Sequence, residues 1–182
     1  NKMVGARVSI VEDTPGVTRD RIYEDVEWNG RIFSLVDTGG LEPASNDTIL
    51  VQMKRQAELA LDLADVIIFM VDAKDGVTAN DRDIAVMLRR VNKPVILVVN
   101  KVDNVGDPPA EVYEFYNLGL GDFYTISSAH GLGIGEVLDA VYEYFPPEEA
   151  KETEKELIRI AVVGKPNAGK SSLINRILGE ER

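Results

Sequence analysis

Residues 164–171 (GKPNAGKS) constrain this chain more than any other stretch. They fit G-x-x-x-x-G-K-[ST], a loop that leaves a buried strand, wraps phosphate with backbone N–H groups and enters a helix. The flanking residues meet both demands, because 158–163 (IRIAVV) reads as a buried strand and 171–178 as a helix. Such a loop ordinarily opens an α/β domain, since it joins the first strand to the first helix. Here only residues 172–182 follow it. The residues before the loop are therefore the place to look for a domain it could serve.

The preceding residues supply such a domain. Residues 66–71 (VIIFMV) and 95–99 (VILVV) are short, apolar and rich in β-branched side chains, the mark of parallel strands buried on both faces. Helical patterns at 50–63, 79–90, 110–118 and 133–145 alternate with these runs and with a strand at 123–126. Residues 21–28 and 31–37 flank Asn29–Gly30 and read as a β-hairpin, with Ile22, Val26 and Trp28 on one face. The predicted fold class is α/β: a doubly wound, mostly parallel sheet with one antiparallel hairpin strand. Residues 146–156 (PPEEAKETEKE) hold five glutamates and two lysines and read as an exposed linker, the alternative being a charged helical face.

Composition narrows the function classes. The net charge of −11 repels phosphate backbones and argues against non-specific nucleic-acid binding. No cysteine is present, which excludes disulfides and thiolate metal sites and fits a reducing cytoplasm. The apolar runs are too short to cross a bilayer, so no membrane partner is expected.

Five segments carry chemistry. In the phosphate loop, Asn167, Ala168, Gly169, Lys170, Ser171 and Ser172 are placed to hold a diphosphate at a helix N-terminus. Lys170 would contact the terminal phosphates and Ser171 would ligate Mg²⁺. Asn100, Lys101 and Asp103 (NKVD) follow a buried strand at its carboxyl end, where open sheets bind ligands. A carboxylate there accepts from guanine N1–H and its exocyclic amino group, and adenine lacks that pair of donors. NKVD alone is a weak match, but beside a phosphate loop it favours GTP over ATP. Asp37 ends a strand and can hold Mg²⁺ through water, and Gly40 behind it lets a backbone N–H approach a γ-phosphate. Thr18, in PGVTRD, offers a hydroxyl to the same Mg²⁺. Ser128 and Ala129 follow the strand at 123–126, and the Ala129 N–H can meet guanine O6. His130 is read as a surface loop residue and Trp28 as hairpin packing.

Together, and in wording such as IVEDTPGVTRDRIYEDVEW, LVDTGGL, NKVDN and GKPNAGKSSLINRILGEER, these segments resemble the P-loop GTPases and specifically the bacterial tandem GTPase family Der/EngA. The resemblance covers essentially the whole chain. It implies a first GTPase domain at 1–145, entered at the end of its first helix, a linker at 146–157, and the opening strand, phosphate loop and helix of a second GTPase domain at 158–182. It also implies GTP hydrolysis to GDP and phosphate, with Lys170, Thr18 and Gly40 catalytic and Mg²⁺ on Ser171, Thr18 and Asp37. Leu41 stands where many GTPases carry a water-orienting glutamine, and the resemblance suggests K⁺ at Asn167 as the compensating charge. The family assists large ribosomal subunit assembly using all its domains, so this chain alone is a doubtful ribosome partner. A nucleotide-binding switch with negligible hydrolysis, or a fragment without function, are the alternatives.

The resemblance leaves the first domain without its own first strand, which such a sheet places in the middle. An unfilled gap would strand backbone groups on two neighbours. Five of them, at about 1–3 kcal/mol each, cost on the order of 10 kcal/mol, comparable to a whole domain's stability of about 5–15 kcal/mol. Residues 158–163 are expected to fill it, as a circular permutant within one chain or a domain-swapped homodimer. The short likeness between 1–7 (NKMVGAR) and 175–181 (NRILGEE) predicts that 1–5 and 175–179 compete for one last helical turn.

Overall fold

The computed structural model describes residues 23–38, 48–104, 106–146 and 157–179. Strands β1 (Tyr23–Trp28) and β2 (Arg31–Asp37) form an antiparallel hairpin. Asn29 and Gly30 both take positive φ, 49° and 75°, as a two-residue type I′ turn requires. Then come α1 (Ile49–Leu63), β3 (Val66–Asp72), α2 (Ala79–Leu88), β4 (Val95–Asn100), a 3₁₀ segment (Ala110–Leu118), β5 (Phe123–Thr125) and α3 (Ile134–Tyr142). Strand β6 (Ile158–Gly164) and helix α4 (Lys170–Leu178) end the described chain.

The six strands run in the order β1-β2-β6-β3-β4-β5, all parallel except the β1–β2 pair. The last strand in sequence is thus an interior strand in space. Ile158 to Val162 pair with β2, and Ile160 to Gly164 pair with β3. At the lower end, the Arg159 N–H donates to Asp65 Oδ2 (2.8 Å) and the Asp65 N–H to the Arg159 carbonyl (2.7 Å). Near the upper end, the Thr38 hydroxyl donates to the Val162 carbonyl (2.5 Å).

Because side chains alternate along a strand, each interior strand feeds two cores. On one face Ile160 and Val162 join Ile68, Met70 and Val98 beneath α3 and α4. On the other, Ala161 and Val163 join Ile67, Phe69 and Val99 beneath α1, α2 and the 3₁₀ segment. Full burial of a Val or Ile side chain is worth about 1.5–3 kcal/mol. β6 therefore anchors both layers. Thr78 starts α2 through a reciprocal capping box with Asp81.

One element departs from the sequence expectation. Residues 110–118 form a 3₁₀ helix rather than an α-helix. Its buried side chains are Val112, Phe115 and Leu118, spaced by three, which is the 3₁₀ repeat and lines them up on one face. α2 and α3 also stop short of the predicted ends, at Leu88 and Tyr142. The expected competition between 1–5 and 175–179 lies outside the described residues. Among the described residues, no helix is long and apolar enough to cross a membrane.

Candidate nucleotide-binding site

A cleft of ≈ 620 Å³ opens at the carboxyl ends of β6 and β4 and beside the turn that follows β5. At one end lies the phosphate loop. Lys170, the first residue of α4, donates from Nζ to the carbonyls of Gly164 (2.9 Å) and Lys165 (3.1 Å), spanning the loop from inside. The Ala168 N–H closes a turn onto the Lys165 carbonyl (3.2 Å). Gly169 has φ of 101°, and a Cβ there would sit 2.1 Å from Asn100 Nδ2, so the loop must be bare at that point. A positive helix end and a near-buried ammonium make this end a seat for an anion.

Beside the loop, β4 delivers Asn100, Lys101 and Asp103. Asn100 is only 1% exposed and uses both ends of its amide on protein. Nδ2 donates to the Ala168 carbonyl (2.6 Å), and Oδ1 accepts from the Ser128 N–H (3.0 Å). This one side chain ties the phosphate loop to the turn after β5. Asp103 accepts from the Ser127 hydroxyl at Oδ1 (2.7 Å) and from Lys74 Nζ at Oδ2 (3.0 Å). His130 Nε2 is exposed and 4.0 Å from Oδ1. The Ser127 hydrogen bond first, then Lys74, hold the Asp103 carboxyl below the usual carboxylate range. Lys101 pairs with the buried Asp72 (2.5 Å).

The structure brings most predicted residues together. Asn100, Lys101, Asp103, Ser128, Ala129, Asn167, Gly169, Lys170, Ser171 and Ser172 line one cleft, with Ala168 buried behind it. Thr18 and Gly40 lie outside the described residues, as does the side chain of Asp37, whose backbone is in register with Val162.

Sequence reasoning passed over the loop after β3. Its Lys74 reaches Asp103, and its Asp75 forms an ion pair with Lys165 of the phosphate loop. That contact, chiefly the Lys165 hydrogen bond, lowers the Asp75 pKa. Gln56 of α1 also contributes, accepting from the Gly164 N–H (3.3 Å). The available signal was the position of 73–75 directly after a buried parallel strand, at the end where ligands bind.

A family model described as 50S ribosome-binding GTPase matches residues 1–101 and 159–182. Over its full length the chain is 66% identical to GTPase Der of Ruminiclostridium cellulolyticum and 64% identical to GTPase Der of Acetivibrio thermocellus. It spans 41% of the length of each of those relatives. The crystal structure of YjeQ from Thermotoga maritima is similar over 63% of this chain and 38% of that one, with 21% identity and a TM-score of 0.44. Matched over most of its residues, the chain belongs to the 50S ribosome-binding GTPase family.

Proposed function

We propose that this chain binds one guanine nucleotide in the cleft and hydrolyses GTP to GDP and phosphate. The observation that carries the reading is the buried Asn100 amide. It fixes the phosphate loop against the Ser128–Ala129 turn in the wall of a single cleft that Asp103 also lines. A diphosphate on the cationic loop and a base on the acceptor carboxylate suit that lining. Asp103 selects guanine because adenine would leave its oxygens without N–H donors, a mismatch that can discriminate by about 10⁴-fold. The Ala129 N–H would meet the base oxygen.

The docking of the tail belongs to the same proposal. Residues 158–178 supply the central strand, phosphate loop and first helix to the body that precedes them. The position of β6 between β2 and β3 supports this. Exchange of the tail between two chains would use the same pairings, and gel filtration separates the two arrangements.

The residues fit Mg²⁺, a hard cation that takes few protein oxygens and keeps phosphate and water ligands. Ser171 offers a hydroxyl at the cleft beside Lys170, and Thr18 and Asp37 would complete the set. When bound, the ion neutralises developing phosphate charge. Lys170 does the same as a fixed point charge, held in place by two loop carbonyls. Asn167 would hold K⁺, and Leu41 cannot orient water. Turnover without a partner should be about 10⁻⁴–10⁻² s⁻¹.

Leu41 also favours a second reading, a switch that binds GTP and barely hydrolyses it. Phosphate release under saturating GTP decides between the two. For base selection the test is Asp103→Asn, which should lose its preference for GDP over ADP, and retained preference would refute the assignment. The large ribosomal subunit of the family description is inferred to bind this chain weakly, since a net charge of −11 opposes RNA phosphates. A cytoplasmic location is inferred from the lack of cysteine.

A further inference from the structure

We propose that Lys74 is a specificity-determining gate on the base end of the cleft, an ammonium that occupies Asp103 until a guanine base replaces it. The inference rests on the reading of Asp103 as the base acceptor. Two N–H donors of guanine need both carboxylate oxygens. One of them, Oδ2, is held by Lys74 Nζ at 3.0 Å. The other accepts from Ser127, whose hydroxyl is neutral and leaves the carboxylate charge in place.

The geometry of Lys74 suits exchange rather than permanent pairing. Its backbone is pinned, because its N–H donates to Asp72 Oδ1 (2.9 Å). Its side chain is 64% exposed and lines the cleft, so the four-carbon stem can swing the ammonium away without moving the loop. Neighbouring charges oppose any other role. Lys101 is committed to Asp72, and Asp75 to Lys165, so Lys74 is the cation of this loop cluster that faces Asp103. Without a base, the ammonium neutralises a carboxylate flanked by a neutral hydroxyl. With a base, the two compete for the same oxygen. The gate thus weakens guanine binding by the worth of an exposed ion pair and screens Asp103 from ligands that offer only one donor.

The test is GDP affinity of the whole chain at about 20 mM salt, measured for wild type, Lys74→Met, Lys74→Arg and Asp103→Asn. Lys74→Met should bind GDP about two- to fivefold more tightly, the range of an exposed ion pair. Lys74→Arg should stay near wild type, and the gain should fade near 0.5 M salt, where screening reaches about a bond-contact distance. In the Asp103→Asn background Lys74→Met should change nothing. Unchanged or weaker GDP binding by Lys74→Met, while Asp103→Asn loses affinity, overturns the gate alone. Unchanged binding by Asp103→Asn instead overturns the base assignment on which the gate rests.

Discussion

Replacing Asn100 with Ala attacks the side chain that ties the phosphate loop to the turn after β5. The substitution removes the donor to the Ala168 carbonyl and the acceptor for the Ser128 N–H, both in buried surroundings. Each backbone group left unpaired costs about 1–3 kcal/mol, so the sum is about 2–6 kcal/mol if no water enters. The native state has only about 5–15 kcal/mol to lose. With a urea slope of about 1–3 kcal/mol per molar, the unfolding midpoint should drop on the order of 2 M. GDP affinity should fall as well, because the phosphate loop and the Ser128–Ala129 turn then move independently. Urea unfolding followed by fluorescence, paired with a GDP titration of the fraction that remains folded, reads both effects. A variant with wild-type midpoint and wild-type affinity would show that the amide joins nothing of consequence.

Two further outcomes follow from the same site. Asp75 and Asp103 both have carboxyls held below their ordinary value of 3.8, by the Lys165 hydrogen bond and by the Ser127 hydrogen bond with Lys74. A depressed folded pKa means stabilisation that is full above about pH 4 and disappears as pH falls through the folded values. The urea midpoint should therefore decline from pH 5 toward pH 3, and Asp75→Asn should flatten part of that decline. Phosphate release should be faster in K⁺ than in Na⁺ at equal ionic strength, and equal rates would remove Asn167 as a potassium ligand.

Much of the fold was legible because its strands are extreme. Residues 66–71 and 95–99 are apolar without alternation, as is 160–163 after the exposed Arg159, and short β-branched runs of this kind suit interior strands of a covered sheet. Asn29–Gly30 announced its own turn, since few residue pairs accept two positive φ values. The 3₁₀ segment was not legible as such: over nine residues, spacings of three fit a 3.6-residue period nearly as well. Within the site, Asn100 stood out by its place in NKVD, but its partners Ala168 and Ser128 are 68 and 28 residues away. No local pattern reveals that its amide faces protein. The same holds for Lys74 and Asp75, which sit in an unremarkable polar turn and acquire their roles only when β3 places them between Asp103 and Lys165.

The central claim is that the tail strand completes the sheet, and amide hydrogen exchange on the monomeric fraction tests it most directly. Ile160 to Val163 of β6 and Ile67 to Met70 of β3 should exchange only through global unfolding, with matching protection. Exchange of the β6 amides orders of magnitude ahead of those in β3 would mean that the tail is not part of the core, and the nucleotide site built on it would fall with it.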